Sequence, residues 1–325
     1  MPYKFLIKLA VTFILFSYVF SKVNWHEMPQ IIQNTNLTLF FFSYLLLLLS
    51  SLPMAFRLKI LLKPTVFKLG LRRLIEIQFI SQFYGAMMPA GIGIAIARWY
   101  KVTENKVGRR IFFTITILER AMLLLPLLAA SGLMLIILND NIIKSIKSSA
   151  LPIIGLLFII CFLFLSCFWY QGVYRHISKI FQWLQSKARK DYLIQILDVY
   201  KDSNLYFDNR NLLTHAFFFS LLFQLLFFIR IYLIFIALNI DLSFTTILWV
   251  SIFVVLLINI PISFAGFGMR ESGFALMLSF YGISPAQGML VGGLMSLQVL
   301  MHVGIGAILN ILEKKNALQT KKNEG

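Results

Sequence analysis

Acidic side chains are scarce in this chain: 13 Asp and Glu stand against 30 Lys and Arg, a net charge of +17 over 325 residues. Cysteine and histidine are scarcer still, at 2 and 4 residues. Cys161 and Cys167 share one apolar run, where they read as packing residues and not as a disulfide. His26, His176, His215 and His302 are scattered, and no Cys/His cluster has metal-ligand spacing. No Ser-His-Asp set or phosphate loop stands out. The Gly-x-Gly elements lack the strand–turn–helix setting of nucleotide fingerprints. These absences argue against hydrolase, metalloenzyme and nucleotide-driven chemistry, so no catalytic residue, metal or cofactor is expected, and the chain is not expected to be an enzyme, the alternative being a membrane-embedded transferase with Glu119 or Glu271 as base.

Apolar residues are abundant. They make up 59% of the chain, phenylalanine alone contributes 32 residues, and the mean hydropathy is +0.82. Such a composition lies outside the range of soluble domains. The runs Leu37–Leu52, Ile111–Leu138, Leu151–Tyr170, Leu212–Leu238 and Ile247–Ile260 can span or deeply enter a bilayer, for which a full crossing takes about 20 residues. At the N-terminus Lys4 and Lys8 precede an apolar stretch, Leu9–Phe20, without a small-x-small cleavage site, which favours an uncleaved first helix over a signal peptide.

The excess of positive charge has a topological pattern. Segments 1–8, 57–73, 98–110, 171–210 and 313–325 carry 24 of the 30 basic residues. The segments assigned outside hold only Lys22, Lys144 and Lys147, and Arg120, Arg230 and Arg270 fall at membrane depth. By the positive-inside rule both termini are cytoplasmic. No basic stripe lies on a soluble domain, so a nucleic-acid partner is not expected; basic segments next to an anionic leaflet attract its headgroups instead. The sequence thus reads as a single transmembrane domain over 1–325. Its first half, about 1–170, contains a re-entrant segment at 74–97. A cytoplasmic amphipathic segment follows at 171–210, then a second half at 211–312 with a broken segment at 247–282, and a basic tail at 313–325. Arg57-Leu58-Lys59-Ile60-Leu61-Leu62-Lys63 reads as an interfacial helix.

Two similar breaks interrupt the apolar sequence. One is Met88-Pro89-Ala90-Gly91-Ile92-Gly93, followed by Arg98; the other is Pro261-Ile262-Ser263-Phe264-Ala265-Gly266-Phe267-Gly268, followed by Arg270-Glu271. Proline and paired glycines loosen helix hydrogen bonding, which hydrocarbon tolerates only where protein or water surrounds it. Basic clusters flank 74–97 on both sides, so one crossing would misplace one of them; a hairpin entering from the cytoplasm resolves this. For 247–282 charge parity allows either two crossings or a hairpin from outside, and the likeness of the breaks favours the hairpin. A matched pair of broken helices points to a transport site in an inverted repeat.

Ionisable groups inside a membrane need a partner or water. Glu119-Arg120, Arg230 and Arg270-Glu271 are such groups, and Glu76, Gln78, Gln82 and Tyr84 form a polar run up the first hairpin. One reading is a polar cavity that holds a charged headgroup while acyl chains stay in lipid. In it Arg98, Arg120 and Arg270 engage a phosphate through the planar guanidinium fork, with Arg230 beside them. Gln82 and Tyr84 line the same cavity, and Glu119 and Glu271 offset the positive charge or contact a cationic headgroup. Pro89, Gly91, Gly93, Pro261, Gly266 and Gly268 act as hinges. The other reading is a set of buried ion pairs, such as Glu119 with Arg270, that fixes helix packing. Arg230 could also snorkel or pair locally. His302 reads as a packing or hydrogen-bonding residue, and Gly288, Gly292, Gly293, Gly304 and Gly306 as close-packing positions.

Taken in order, Gln82-Phe83-Tyr84-Gly85, Met88-Pro89-Ala90-Gly91-Ile92-Gly93 with Arg98, Glu119-Arg120, and Pro261-Ile262-Ser263 with Gly266-Phe267-Gly268-Met269-Arg270-Glu271 resemble the flippase-like transmembrane family typified by the membrane region of lysylphosphatidylglycerol synthases. The resemblance covers nearly the whole chain. It implies translocation of lipids, such as aminoacylated phosphatidylglycerol or lipid-linked intermediates, in a prokaryotic cytoplasmic membrane. The implied partners are a membrane phospholipid and a separately encoded lipid-modifying enzyme. Where the family often has Gly-Gly-Asp, this chain has Gly93-Ile94-Ala95, so a role for that acid is not carried over. The chain ends at Gly325 without a soluble aminoacyl-transferase domain, so synthase activity is not expected of it. The expected fold is all-α and polytopic, with about six to eight spanning helices and one or two re-entrant hairpins in a pseudo-inverted repeat.

Overall fold

A computed structural model describes residues 26–87, 92–103, 109–137, 206, 209–259 and 266–323. All regular structure among them is helical. In chain order the helices are α1 (Met28–Gln33), α2 (Leu37–Leu49), α3 (Ser51–Leu62), α4 (Leu71–Met87), α5 (Ile92–Thr103), α6 (Arg109–Ile137), α7 (Arg210–Ala237), α8 (Phe244–Asn259), α9 (Met269–Ser279) and α10 (Pro285–Asn323). The expected first helix at 5–20, the run Leu151–Tyr170 with its two cysteines, and nearly all of the amphipathic segment 171–210 lie outside the described residues.

Short polar side chains start several of these helices. The Asn36 carboxamide oxygen accepts from the Leu39 amide at 3.2 Å, Asn209 from Leu212 at 3.1 Å, Ser243 from Thr246 at 3.2 Å and Ser284 from Gln287 at 3.2 Å. Each satisfies an amide that the first helical turn leaves open. Pro285 opens α10, where its missing N–H costs nothing.

Among the described residues four segments are long and apolar enough to cross a membrane: Leu37–Leu62, Ile111–Ser131, Arg210–Ala237 and Pro285–Lys315, with a shorter apolar helix at Phe244–Ile258. The first runs ten residues beyond the apolar run seen in the sequence, because α3 continues α2 after Ser50. Arg57 and Lys59 therefore lie within this candidate span and not in a separate surface helix. Arg57 is buried while Lys59 is exposed, so one short stretch supplies both an interior and a peripheral cation.

The chain divides into two compact units, one of Met1–Leu52, Ile75–Arg98 and Leu225–Gly325, the other of Pro53–Leu74 and Trp99–Gln224. In the first unit, α4 and α5 fold back on each other. Arg98 donates to Gln78 at 2.8 Å, and Gly85 abuts the Ile94 side chain so closely that a methyl there would overlap it. Nine residues of continuous helix would separate such positions by about 13 Å, so the two arms are antiparallel. Helices α8 and α9 repeat the arrangement. A methyl at Gly273 would meet Val254 Cγ2 at 3.2 Å, and one at Gly266 would meet Ile258 Cγ2 at 2.6 Å. At 12 and 11 residues, α5 and α9 are about 16–18 Å long, well short of a hydrocarbon core of about 30 Å.

Helix α10 packs against arms of both hairpins. Methyl groups at Gly288 and Gly292 would come within 2.6 Å of the Ala275 and Glu271 Cα atoms, so α9 lies backbone to backbone on α10. Gly306 gives the same close approach to the Phe79 carbonyl of α4. Gly293 and Gly304 meet nothing within 4 Å, so the expected close-packing series is only partly realised. In the second unit, the Phe56 and Phe219 rings stack at 5.2 Å, and Gln224 donates to the Leu123 carbonyl at 2.6 Å.

Candidate functional site

The second break is built around two glycines with left-handed backbone, Gly266 at φ 81° and Gly268 at φ 79°. L-residues with a Cβ are strained there. At Gly266 a Cβ would also crowd Ile258 and lie 3.2 Å from the Arg270 guanidinium. These glycines bring the chain into α9 with the Gly268 amide facing the Glu271 carboxylate, which accepts from it at 2.7 Å. Glu271 thereby caps the helix start and meets the positive end of its dipole. Its other oxygen accepts a hydrogen bond from the Ser296 hydroxyl of α10. The same hydroxyl accepts from Arg270 Nη1 at 2.8 Å, so Ser296 bridges the neighbouring Arg and Glu.

Beside this cluster stands Arg230 of α7, 3% exposed. Its Nε donates to the Gln298 oxygen at 2.7 Å, its Nη2 faces the Met295 carbonyl at 3.5 Å, and its guanidinium lies 5.9 Å from the Phe227 ring centre. No carboxylate among the described residues forms an ion pair with it. Gln298 is fully buried, and its amide nitrogen donates to Ser43 Oγ and, at 3.4 Å, to the Phe40 carbonyl of α2.

Gln298 begins a buried ridge along α10. Gln298, His302, Gly306 and Asn310 recur every four residues, which places them one above another on one helix face. His302 stacks on Phe79 with ring centres 4.5 Å apart, and its Nδ1 has no partner among the described residues. Gly306 receives the Phe79 backbone, and Asn310 accepts from the Tyr84 hydroxyl at 3.4 Å. Through this ridge one helix meets Arg230, Ser43 and the first arm of the first hairpin over about 18 Å.

Of the residues singled out from sequence, Arg230, Arg270 and Glu271 come together here. Arg98 is also buried but sits on the first hairpin with Gln78; Tyr84 and Gln82 are half-buried on α4. Glu119 belongs to the other unit, where its Oε1 accepts from Arg57 Nη2 at 3.3 Å and Nε at 3.4 Å, and Arg57 Nη1 donates to Ser220 at 3.2 Å. Arg120, its neighbour, is exposed, as residues about 100° apart around a helix permit. Gly93 is helical inside α5 and not within the break, whereas Pro89, Gly91 and Pro261 lie outside the described residues. Sequence inspection overlooked Arg57, Ser43, Ser296 and Gln298. For Gln298 a signal existed in the four-residue recurrence of small or polar residues along an apolar helix.

A family model described as the lysylphosphatidylglycerol synthase TM region matches residues 5–306. The chain belongs to that family. Comparison with curated proteins and with solved structures found no match. Membership in the lysylphosphatidylglycerol synthase transmembrane family makes this a membrane protein related to lipid modification or transport, in keeping with the four candidate spans among its described residues.

Proposed function

We propose that the protein translocates lipids between leaflets, holding the headgroup at the Arg230–Arg270 cluster while acyl chains remain in the bilayer. The observation that carries this reading is the placement of two buried guanidiniums against a polar ridge in otherwise apolar helices. Burying a cation at membrane depth is costly, and such residues mark substrate paths more often than they stabilise a fold. Arginine suits a phosphate because its planar fork presents paired donors. The two hairpins would be re-entrant, since α5 and α9 are too short to cross, and they would relate the halves as a pseudo-inverted repeat. Gly266 and Gly268 would give the second tip its freedom to move. Arg98, bonded to Gln78 on the first hairpin, would be a second station on the headgroup path. The site would lie in a prokaryotic cytoplasmic membrane with both termini inside, and its lipid would come from a separately encoded modifying enzyme. No nucleotide motif is present in the sequence, so transfer would be passive or driven by an ion gradient.

Leaflet-resolved transfer of labelled lipids in proteoliposomes tests the proposal. Wild-type protein should accelerate transfer, and Arg270→Ala should reduce it at least about tenfold, as loss of a bidentate charged contact would. Equal transfer by the two proteins would sink the reading. Lipid binding without transfer would instead assign the chain to a non-transporting partner of an envelope enzyme.

A further inference from the structure

We infer that the Gln78 side-chain amide is a phosphate-contacting group of the headgroup path, donating from Nε2 to an oxygen of the lipid phosphodiester. This rests on the lipid-headgroup reading above and adds a residue and the part of the lipid that it meets. Gln78 lies on α4, the first arm of the first hairpin, and is 2% exposed. Its Oε1 accepts from Arg98 Nη2 of α5 at 2.8 Å. A guanidinium can only donate, so this bond fixes which branch of the carboxamide is oxygen. The other branch therefore carries the N–H donors, and no group among the described residues accepts from them.

An amide donor enclosed in apolar surroundings without an acceptor costs free energy that a ligand oxygen recovers. The surroundings of Gln78 suit such a ligand. Gln82, one turn closer to the hairpin tip on the same helix face, is half-buried, so the polar stripe leads from a more open position to a closed one. Phe79, the next residue, stacks on His302 of α10, whose Nδ1 is likewise buried without a partner among the described residues. The seam between α4 and α10 thus encloses two polar atoms that the fold leaves open. Among the acceptors of a lipid headgroup, the phosphate oxygens carry negative charge and make the stronger bond to an N–H. Every glycerophospholipid has that phosphodiester, so the contact holds the headgroup without selecting its substituent.

The experiment uses the full chain in nanodiscs of a phosphate-free galactolipid, titrated with labelled phosphatidylglycerol and lysyl-phosphatidylglycerol. Gln78→Glu keeps an oxygen for Arg98 and replaces the donor by an acceptor, whereas Gln78→Met removes both. Both variants should lose binding at least about tenfold, by the same factor for each lipid to within about twofold, while Gln78→Glu unfolds no more easily than wild type. A role confined to holding Arg98 would leave Gln78→Glu binding like wild type. A site made by Arg98 alone would leave Gln78→Met binding like wild type or better. Either result overturns the inference, as does a loss confined to one of the lipids, since the donor would then meet the substituent. A further check needs no variant: with isotope-labelled glutamine, solid-state NMR of wild-type protein should show dipolar coupling between a side-chain amide nitrogen and the lipid phosphorus, and its absence overturns the inference. Normal transfer by both variants would leave the lipid reading standing and remove this one. Binding of inorganic phosphate that depends on Gln78, with neither lipid bound, would keep the phosphate contact and overturn the lipid reading.

Discussion

Arg57 and Arg230 are both buried, and both are braced by a neutral polar side chain, Ser220 in one unit and Gln298 in the other. They differ in what closes their charge. Arg57 has a carboxylate, Glu119, against two of its nitrogens. Arg230 has none among the described residues and is held by the neutral Gln298 and the Met295 carbonyl instead. A closed pair is a finished structural element, while an open cation is an unfinished one that a ligand can complete. The ion pair at Glu119 is made with Arg57 and not with the Arg270 that the sequence reading named.

The largest expected effect tests the closed site. Glu119→Ala removes the carboxylate from buried Arg57 and should lower unfolding free energy by about 3–5 kcal/mol, measured by denaturant titration in bicelles. Lipid handling would change only in proportion to the folded fraction. Replacing both partners, Arg57→Met with Glu119→Leu, should recover most of that loss, because an apolar pair of similar volume carries no uncompensated charge. A double variant as unstable as the single one would break the comparison.

At the open site the signs should reverse. Gln298→Glu places a carboxylate where Arg230 now meets a neutral oxygen, supplying the missing countercharge from within. Stability should hold or rise, while binding of acidic lipid falls about tenfold, since the internal acid now occupies the guanidinium. Unchanged lipid binding would count against Arg230 as the receptor.

Smaller effects follow from the glycines that support Glu271. Gly292→Ala drives a methyl into the Glu271 backbone and should cost about 1–3 kcal/mol through overpacking. Its neighbour Gly293 faces open space, so Gly293→Ala should be neutral or stabilising by up to about 1 kcal/mol from helix propensity. Thermal unfolding of the two variants side by side separates close packing from a general demand for glycine.

Much of this was legible in the sequence. Long apolar runs gave the spans, and the glycines at 266 and 268 marked a real break with left-handed backbone. Arg230, Arg270 and Glu271 were visible because charge inside an apolar run is rare. Arg57 was hidden by its neighbours: Lys59 and Lys63 made it look like one cation of a surface helix, and only burial on α3 separates it from them. Ser43, Ser296 and Gln298 were hidden because neutral polar residues scarcely perturb the hydropathy of a long helix. Their importance lies in which distant arginine they face, and a linear pattern does not carry that.

Gln298 also ties two helices together through one side chain. Its carboxamide is one rigid plane that accepts from Arg230 on one edge and donates to Ser43 on the other. Turning the amide to suit a displaced guanidinium would carry its nitrogen away from Ser43, and a full flip would set donor against donor. Arg230 and helix α2 are therefore geared through a single side chain. A fluorophore or spin label near Ser43 would sense occupancy at Arg230 without touching the ligand, giving the bilayer-facing helix a built-in reporter of what the interior holds.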